Sequence, residues 1–114
     1  MIEKIIFDYL NGVDGAPPAL MEIPAERQAP PFFVIQKTAG GETEGAVGEA
    51  TLAIQSYGAT LYEAAQTNEL LKTLMAGAAE LNEIAAVRLN SDYNFTDVTR
   101  KRYRYQAVYQ IVHY

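Results

Sequence analysis

The chain has 114 residues, 49% of them hydrophobic, and a formal net charge of −5 at pH 7, which suits one domain around one core. It has no cysteine, which excludes disulfides, thiolate metal sites and a cysteine nucleophile, and no apolar run of about 18 residues, which excludes a membrane-spanning helix. The charge is uneven: residues 1–99 carry five basic and fourteen acidic groups, or −9, whereas residues 100–114 carry four basic groups and no acidic one, or +4.

The opening "MIEKIIFDYLNG" sets Ile2, Ile5, Ile6, Tyr9 and Leu10 at helical spacing and closes on Asn11-Gly12. This predicts a short amphipathic helix over 2–11. Glu3 and Asp8 interrupt its apolar stretch and no small-residue cleavage site follows, so it does not read as a secretory signal. All five prolines fall within 16–31. Proline cannot donate to a ladder, so only short extended pieces fit there, with "ALMEI" at 19–23 as an edge strand.

"FFVIQKT", 32–38, is apolar on both parities at its start, the pattern of a strand covered on both faces. "AGGETEGAVG", 39–48, reads as a mobile, acidic hairpin loop containing Gly40, Gly41, Gly45 and Gly48. "EATLAIQSY", 49–57, alternates, with Ala50, Leu52 and Ile54 inward and Thr51 and Gln55 outward. Thr60 and Glu63 have capping-box spacing and open a helix from about 60 to 80. Its stripe is Leu61, Ala64, Ala65, Leu71, Leu74, Met75 and Ala78, interrupted by Asn68. "EIAAVRLNSDY", 83–93, places Ala85, Val87, Leu89 and Tyr93 on one face and Arg88, Asn90 and Asp92 on the other. After the turn "NFTDVT", the last strand covers 99–113. The order α-β-β-β-α-β-β predicts a single α+β domain over 1–114. Its sheet is mostly antiparallel and four- to five-stranded, with the long helix and the short N-terminal helix on one face.

The chemistry-bearing residues are sparse. The closing "TRKRYRYQAVYQIVHY" mixes cations with rings. Strand parity nevertheless puts Tyr103, Tyr105, Ala107, Tyr109 and Ile111 on one face and Arg102, Arg104, Gln106 and Gln110 on the other, with Val108 the exception. A platform for single-stranded nucleic acid needs ring and cation on one surface, and an acidic body lacks the summed positive potential such binding uses. The one histidine, His113, has Val112 and Tyr114 as neighbours and nothing near in sequence to orient it as a base. Glu42 and Glu44 lack further Asp or Asn at calcium-loop spacing. "GGETEG" lacks the Lys-Ser/Thr of a phosphate loop. Asp92 and Asp97 flank a turn, where aspartate caps backbone. No catalytic, cofactor-binding or metal-ligating residue is expected, and the chain does not read as an enzyme.

Two stretches carry a resemblance. "ATLAIQSYGATLYEAAQTNELLKTLM", 50–75, and "SDYNFTDVTRKRYRYQAVYQIVHY", 91–114, are similar to small tail-terminator and tail-completion (tail-to-head joining) proteins of long-tailed phages and prophages of Gram-positive bacteria. The likeness extends to the opening helix and to the "ERQAPPFFVIQKT" lead-in. It implies an α+β subunit, usually assembled as a hexameric ring. Such a ring caps the tail tube, ends its polymerisation and joins the tail to the head.

The implied partners are the protein's own copies, a tail tube protein and a head–tail connector protein, with DNA met only in passage and no membrane or cofactor involved. The implied place is the head-proximal end of the virion tail, after assembly in the bacterial host cytoplasm. A head–tail connector or minor capsid component, and a small cytosolic nucleic-acid-binding domain, are the alternatives. In a head-to-tail ring, opposite charges on two different surfaces help set register. Arg100, Arg102 and Arg104 are therefore expected at a subunit or tube contact, with Glu42, Glu44 and Glu49 as counter-charges. The plainer reading is that these charges are simply solvated.

Overall fold

The computed structural model describes residues 1–24, 28–42 and 47–114, with Glu42 through its backbone alone. The chain forms α1 (Ile2–Asn11), β1 (Ala19–Leu20), β2 (Phe32–Glu42), β3 (Gly48–Gly58), α2 (Leu61–Ala78), β4 (Ile84–Asn94) and β5 (Tyr103–His113). One five-stranded sheet has the order β1-β2-β3-β5-β4. Its fold class is α+β, and the sheet is mixed: β1 runs parallel to β2, and the other three junctions are antiparallel.

α1 buries Ile2, Ile6 and Leu10, spaced four apart so that they form one stripe. Its end is tied by a side chain. Asn11 donates from Nδ2 to the Ala19 carbonyl at 3.1 Å, and its Oδ1 accepts the Ala19 N–H at 2.9 Å. Gly12 stays right-handed at φ −86, so the stop needs no left-handed glycine.

α2 is capped by Thr60, whose Oγ1 accepts the Glu63 N–H at 3.0 Å, while Glu63 Oε1 accepts the Ala59 N–H at 2.8 Å. The reciprocal bond of the capping box thus lands one residue earlier than its usual place. The buried face of α2 is Ala64, Thr67, Asn68, Leu71, Met75 and Ala78, and Leu61, expected on the stripe, is exposed. Both helices share one core with Phe33, Ile35, Leu52, Ile54, Ala107, Tyr109 and Ile111 of the sheet. Each fully buried Leu or Ile there contributes about 1.5–3 kcal/mol. The two helices are also joined through Tyr9, whose hydroxyl donates to the Leu74 carbonyl at 2.7 Å.

Three expectations change. First, residues 39–42 pair with 48–51 as strand, with a bulge between Lys37 and Ala39, so the hairpin is longer than its composition suggested. Residues 43–46 of the expected loop, including Glu44 and Gly45, lie outside the described residues. Second, β5 starts at Tyr103. Asp97 and Arg102 exchange backbone bonds of 3.0 Å each, and Lys101 is left-handed at φ 53, so Arg100 and Lys101 sit on a turn. Asp97 Oδ1 accepts the Arg100 N–H there at 3.2 Å.

Third, β4 has register shifts between Ile84 and Ala86 and between Leu89 and Ser91. A bulge inserts one residue and so reverses the faces beyond it. Asp92, expected beside Arg88, therefore pairs with Ala107 and faces the helices. It receives Lys72 Nζ at 2.9 Å and Asn68 Nδ2 at 2.8 Å. The Lys72 ammonium holds the Asp92 carboxyl below the usual range, and Asp92, followed by Glu69, raises Lys72. Beneath them, burial pushes the Tyr109 hydroxyl up to about 12.

Two measurements check this packing. A Cβ at Gly58 would lie 2.3 Å from the Ala64 nitrogen, whereas one at Gly41 meets nothing within 4 Å. Gly58→Ala should lower stability in urea unfolding by about 1–3 kcal/mol, and Gly41→Ala should stay within about 0.5 kcal/mol. Asp92→Ala should cost about 1–3 kcal/mol at pH 7, because it strands the Asn68 amide and leaves Lys72 with Glu69 alone. A depressed carboxyl stabilises above its unfolded value and loses that contribution as pH falls through its folded value. The wild-type melting temperature should therefore drop below pH of about 4. The share due to Asp92 should be missing in Asp92→Ala; identical acid limbs would contradict the assignment.

Candidate assembly surface

The face of the sheet opposite the helices carries two rows of side chains. In the first, Phe32 and Tyr57 stack with centroids 4.6 Å apart and planes at 11°. Arg104 closes this row. Its guanidinium carbon lies 4.5 Å from the Phe95 ring centroid and 5.7 Å from that of Tyr57. Its Nη1 donates to the Tyr57 hydroxyl at 2.8 Å, and its Nε donates to the Phe95 carbonyl at 2.7 Å. In the second row, Gln55 Nε2 donates to Gln36 Oε1 at 2.9 Å and to Gln106 Oε1 at 2.7 Å, and Gln106 Nε2 donates to the Tyr93 hydroxyl. Gln55, expected outward, does point away from the helices, yet it is only 2% exposed. Leu20 packs against Phe32, Val34 and Tyr57 on this side.

The two ends of the sheet differ in charge. At one end lie the β4–β5 turn and the start of α2. Val98 is 80% exposed and Tyr62 73%, with Leu61, Phe95 and Tyr103 also exposed. Arg100 and Lys101 are exposed and Arg102 is half-buried. None of the three has an ion-pair partner among the described residues. Beside them is an open cleft of about 290 Å³, lined by Phe32, Tyr57, Gly58, Lys101, Arg102 and Tyr103. The acids nearby, Glu63 and Asp97, already accept backbone N–H groups.

At the other end Glu49, Glu80 and Glu83 are exposed. Register places Glu49 and Glu83 at the same end: Glu49 stands opposite Val112, Gly48 opposite His113, and His113 opposite Ile84, while Glu80 lies just past the C-terminal end of α2. The Glu83 carbonyl accepts the Tyr114 N–H at 3.0 Å. α2 runs from the basic end to the acidic end, so its dipole, positive at the N-terminus, reinforces the contrast. Arg88 stands inward, level with Gln110, whereas Lys37, paired with Leu52, extends its ammonium over Gly40, level with Ala50 and one residue from Glu49. Eight steps of β3 from Glu49 to Tyr57 separate the ends by roughly 26 Å, in a molecule 45 Å long.

The residues expected at a contact are therefore not gathered in one place. Arg100 and Arg102 lie at the basic end, in no ion pair among the described residues. Arg104 lies beside them with its guanidinium engaged inside the subunit. Glu49 and the backbone of Glu42 lie at the far end, and Glu44 is outside the described residues. Arg100 and Arg102 therefore cannot meet Glu49 within one subunit. Among the described residues, no three His, Asp or Glu side chains are grouped to hold a metal. His113 is half-buried at the acidic end, its ring lying over Gly48.

Sequence reasoning missed the aromatic partners of Arg104. Parity within β5 correctly put Tyr105 and Tyr109 on the other face, but Phe32, Tyr57 and Phe95 come from β2, β3 and the turn. Only cross-strand register brings them to Arg104. No family model matches the chain, and no curated protein sequence matches it.

Replacing Arg104 by Ala should cost about 1.5–3 kcal/mol, the range for hydrogen bonds to a charged group. Lys should recover less than half of that loss, because an ammonium lacks the planar fork and stacking surface. Full recovery by Lys in chemical denaturation would show that charge alone matters there.

Proposed function

We propose that this protein is a phage virion structural protein. In this reading it caps the tail tube, ends its polymerisation and joins the tail to the head through protein–protein surfaces, not catalysis. One observation supports the reading best: among the described residues, cations without an ion pair and exposed aromatic and apolar side chains gather at one end of the sheet, and Glu49, Glu80 and Glu83, likewise in no ion pair, lie at the other. Arg and aromatic side chains are enriched where proteins bind one another. The resemblance of residues 50–75 and 91–114 to tail-completion proteins supplies the setting. It also suggests a hexameric ring with a tail tube protein on one side and a head–tail connector on the other. A connector or minor capsid component would use the same kind of surface.

The cleft beside Lys101, Arg102 and Tyr103 favours a second reading, a small nucleic-acid-binding domain. It is the weaker one. Phe32 and Tyr57 are each 3% exposed and stacked on one another, so they offer little face to a base, and the net charge is −5.

Arg100→Glu with Arg102→Glu decides between solvated and functional cations. The double variant should fold with a near-wild-type far-UV spectrum. In a phage or prophage lysate complemented with it, tails should be of irregular length or fail to join heads. Tails of normal length joined normally to heads would sink the proposal for this surface.

A further inference from the structure

Taking the protein as an assembly subunit, on which this inference rests, the partner of its basic end can be named. We propose that the end carrying Arg100, Lys101 and Arg102 seats the end carrying Glu49, Glu80 and Glu83 of a second copy. Four observations carry this. The three cations lack an ion-pair partner among the described residues, and the three acids are likewise in no ion pair. Both sets are exposed or half-exposed. The basic end adds Val98, Tyr62 and Tyr103 as exposed contact surface, and the acidic end adds Tyr114, 68% exposed. The α2 dipole points the same way as the charge separation, with its positive end beside the arginines.

The geometry decides the kind of contact. The two surfaces lie at opposite ends of β3, so an end-to-end contact between them is heterologous rather than isologous. Each copy offers one free end after pairing, and the assembly either closes as a ring or continues. The net charge of −5 makes copies repel in random orientation. The polar arrangement favours the single orientation that brings unlike ends together. Exposed pairs of this kind are screened once the Debye length falls to a few ångströms, at about 1 M salt.

The test uses the full chain and two charge-reversed versions. In R100E/R102E both ends are acidic; in E49K/E83K both are basic. Far-UV spectra and melting temperatures establish that each is folded. By sedimentation velocity, the wild type should self-associate, and about 1 M salt should weaken that association. Each variant alone should associate at least about tenfold more weakly. An equimolar mixture of the two should recover association, because native meets native at one junction and swapped meets swapped at the next.

A mixture as dissociated as its components would overturn the inference, as would variants that associate like the wild type. So would a wild type monomeric at every concentration tested. If R100E/R102E abolished tail completion while self-association stayed at wild-type level, the basic end would serve the tube or connector. The inference would then fail and the proposed function stand. Binding of a single-stranded oligonucleotide lost only in R100E/R102E, without self-association, would overturn both in favour of a nucleic-acid site.

Discussion

The structure depends on the unbroken antiparallel pairing of β3 with β5, from Gly48 opposite His113 to Gly58 opposite Tyr103. β3 is buried on both sides from Leu52 to Gly58, so its register is strongly held: a slip of one residue would exchange Leu52 and Ile54 for Ala53 and Gln55 against the helices. From this pairing follow the dry face under α1 and α2, the polar rows on the other face, and the separation of the two ends.

The polar side chains are divided between these faces in a consistent way. Toward the helices, the buried Asn68 and the partly exposed Lys72 are anchored by Asp92. On the other face, a glutamine row crosses from β2 to β5, with Tyr93 of β4 completing it. Buried amides are costly unless bonded. The row satisfies most of them by cross-strand neighbours and so ties four strands at one level. Arg104 does the same one level nearer the turn, which removes it from the set of cations free to meet a partner. The free cations are those that the left-handed Lys101 and the Asp97–Arg102 bridge hold out on the turn.

Much of the fold could be read from local signals. The four-residue spacing in α1, the Thr60–Glu63 cap and the two-sided apolar start of β2 are short-range patterns with a direct physical cause, and the structure follows them. What could not be read were the bulges in β4, because one inserted residue leaves no mark in composition yet reverses every later face. For the same reason Asp92 read as a turn residue when it is an ion-pair partner of α2. β5 starts at Tyr103 rather than Thr99 because the left-handed Lys101 and the Asp97–Arg102 bridge close a turn ahead of it, and the all-polar "TRKR" carries no local signal for either.

The sequence alone determined the α+β class, both helices and the Thr60–Glu63 cap of α2, the opposite faces of tyrosine and arginine in β5, and the shift from an acidic body to a basic end. These depend on residues within a few positions of each other. Only the tertiary structure decided which side chains surround Arg104, which face holds Asp92, and that the acids and the free arginines stand at opposite ends of one sheet. Those outcomes depend on register between strands distant in sequence, and register is set by burial over the whole sheet rather than by any local pattern.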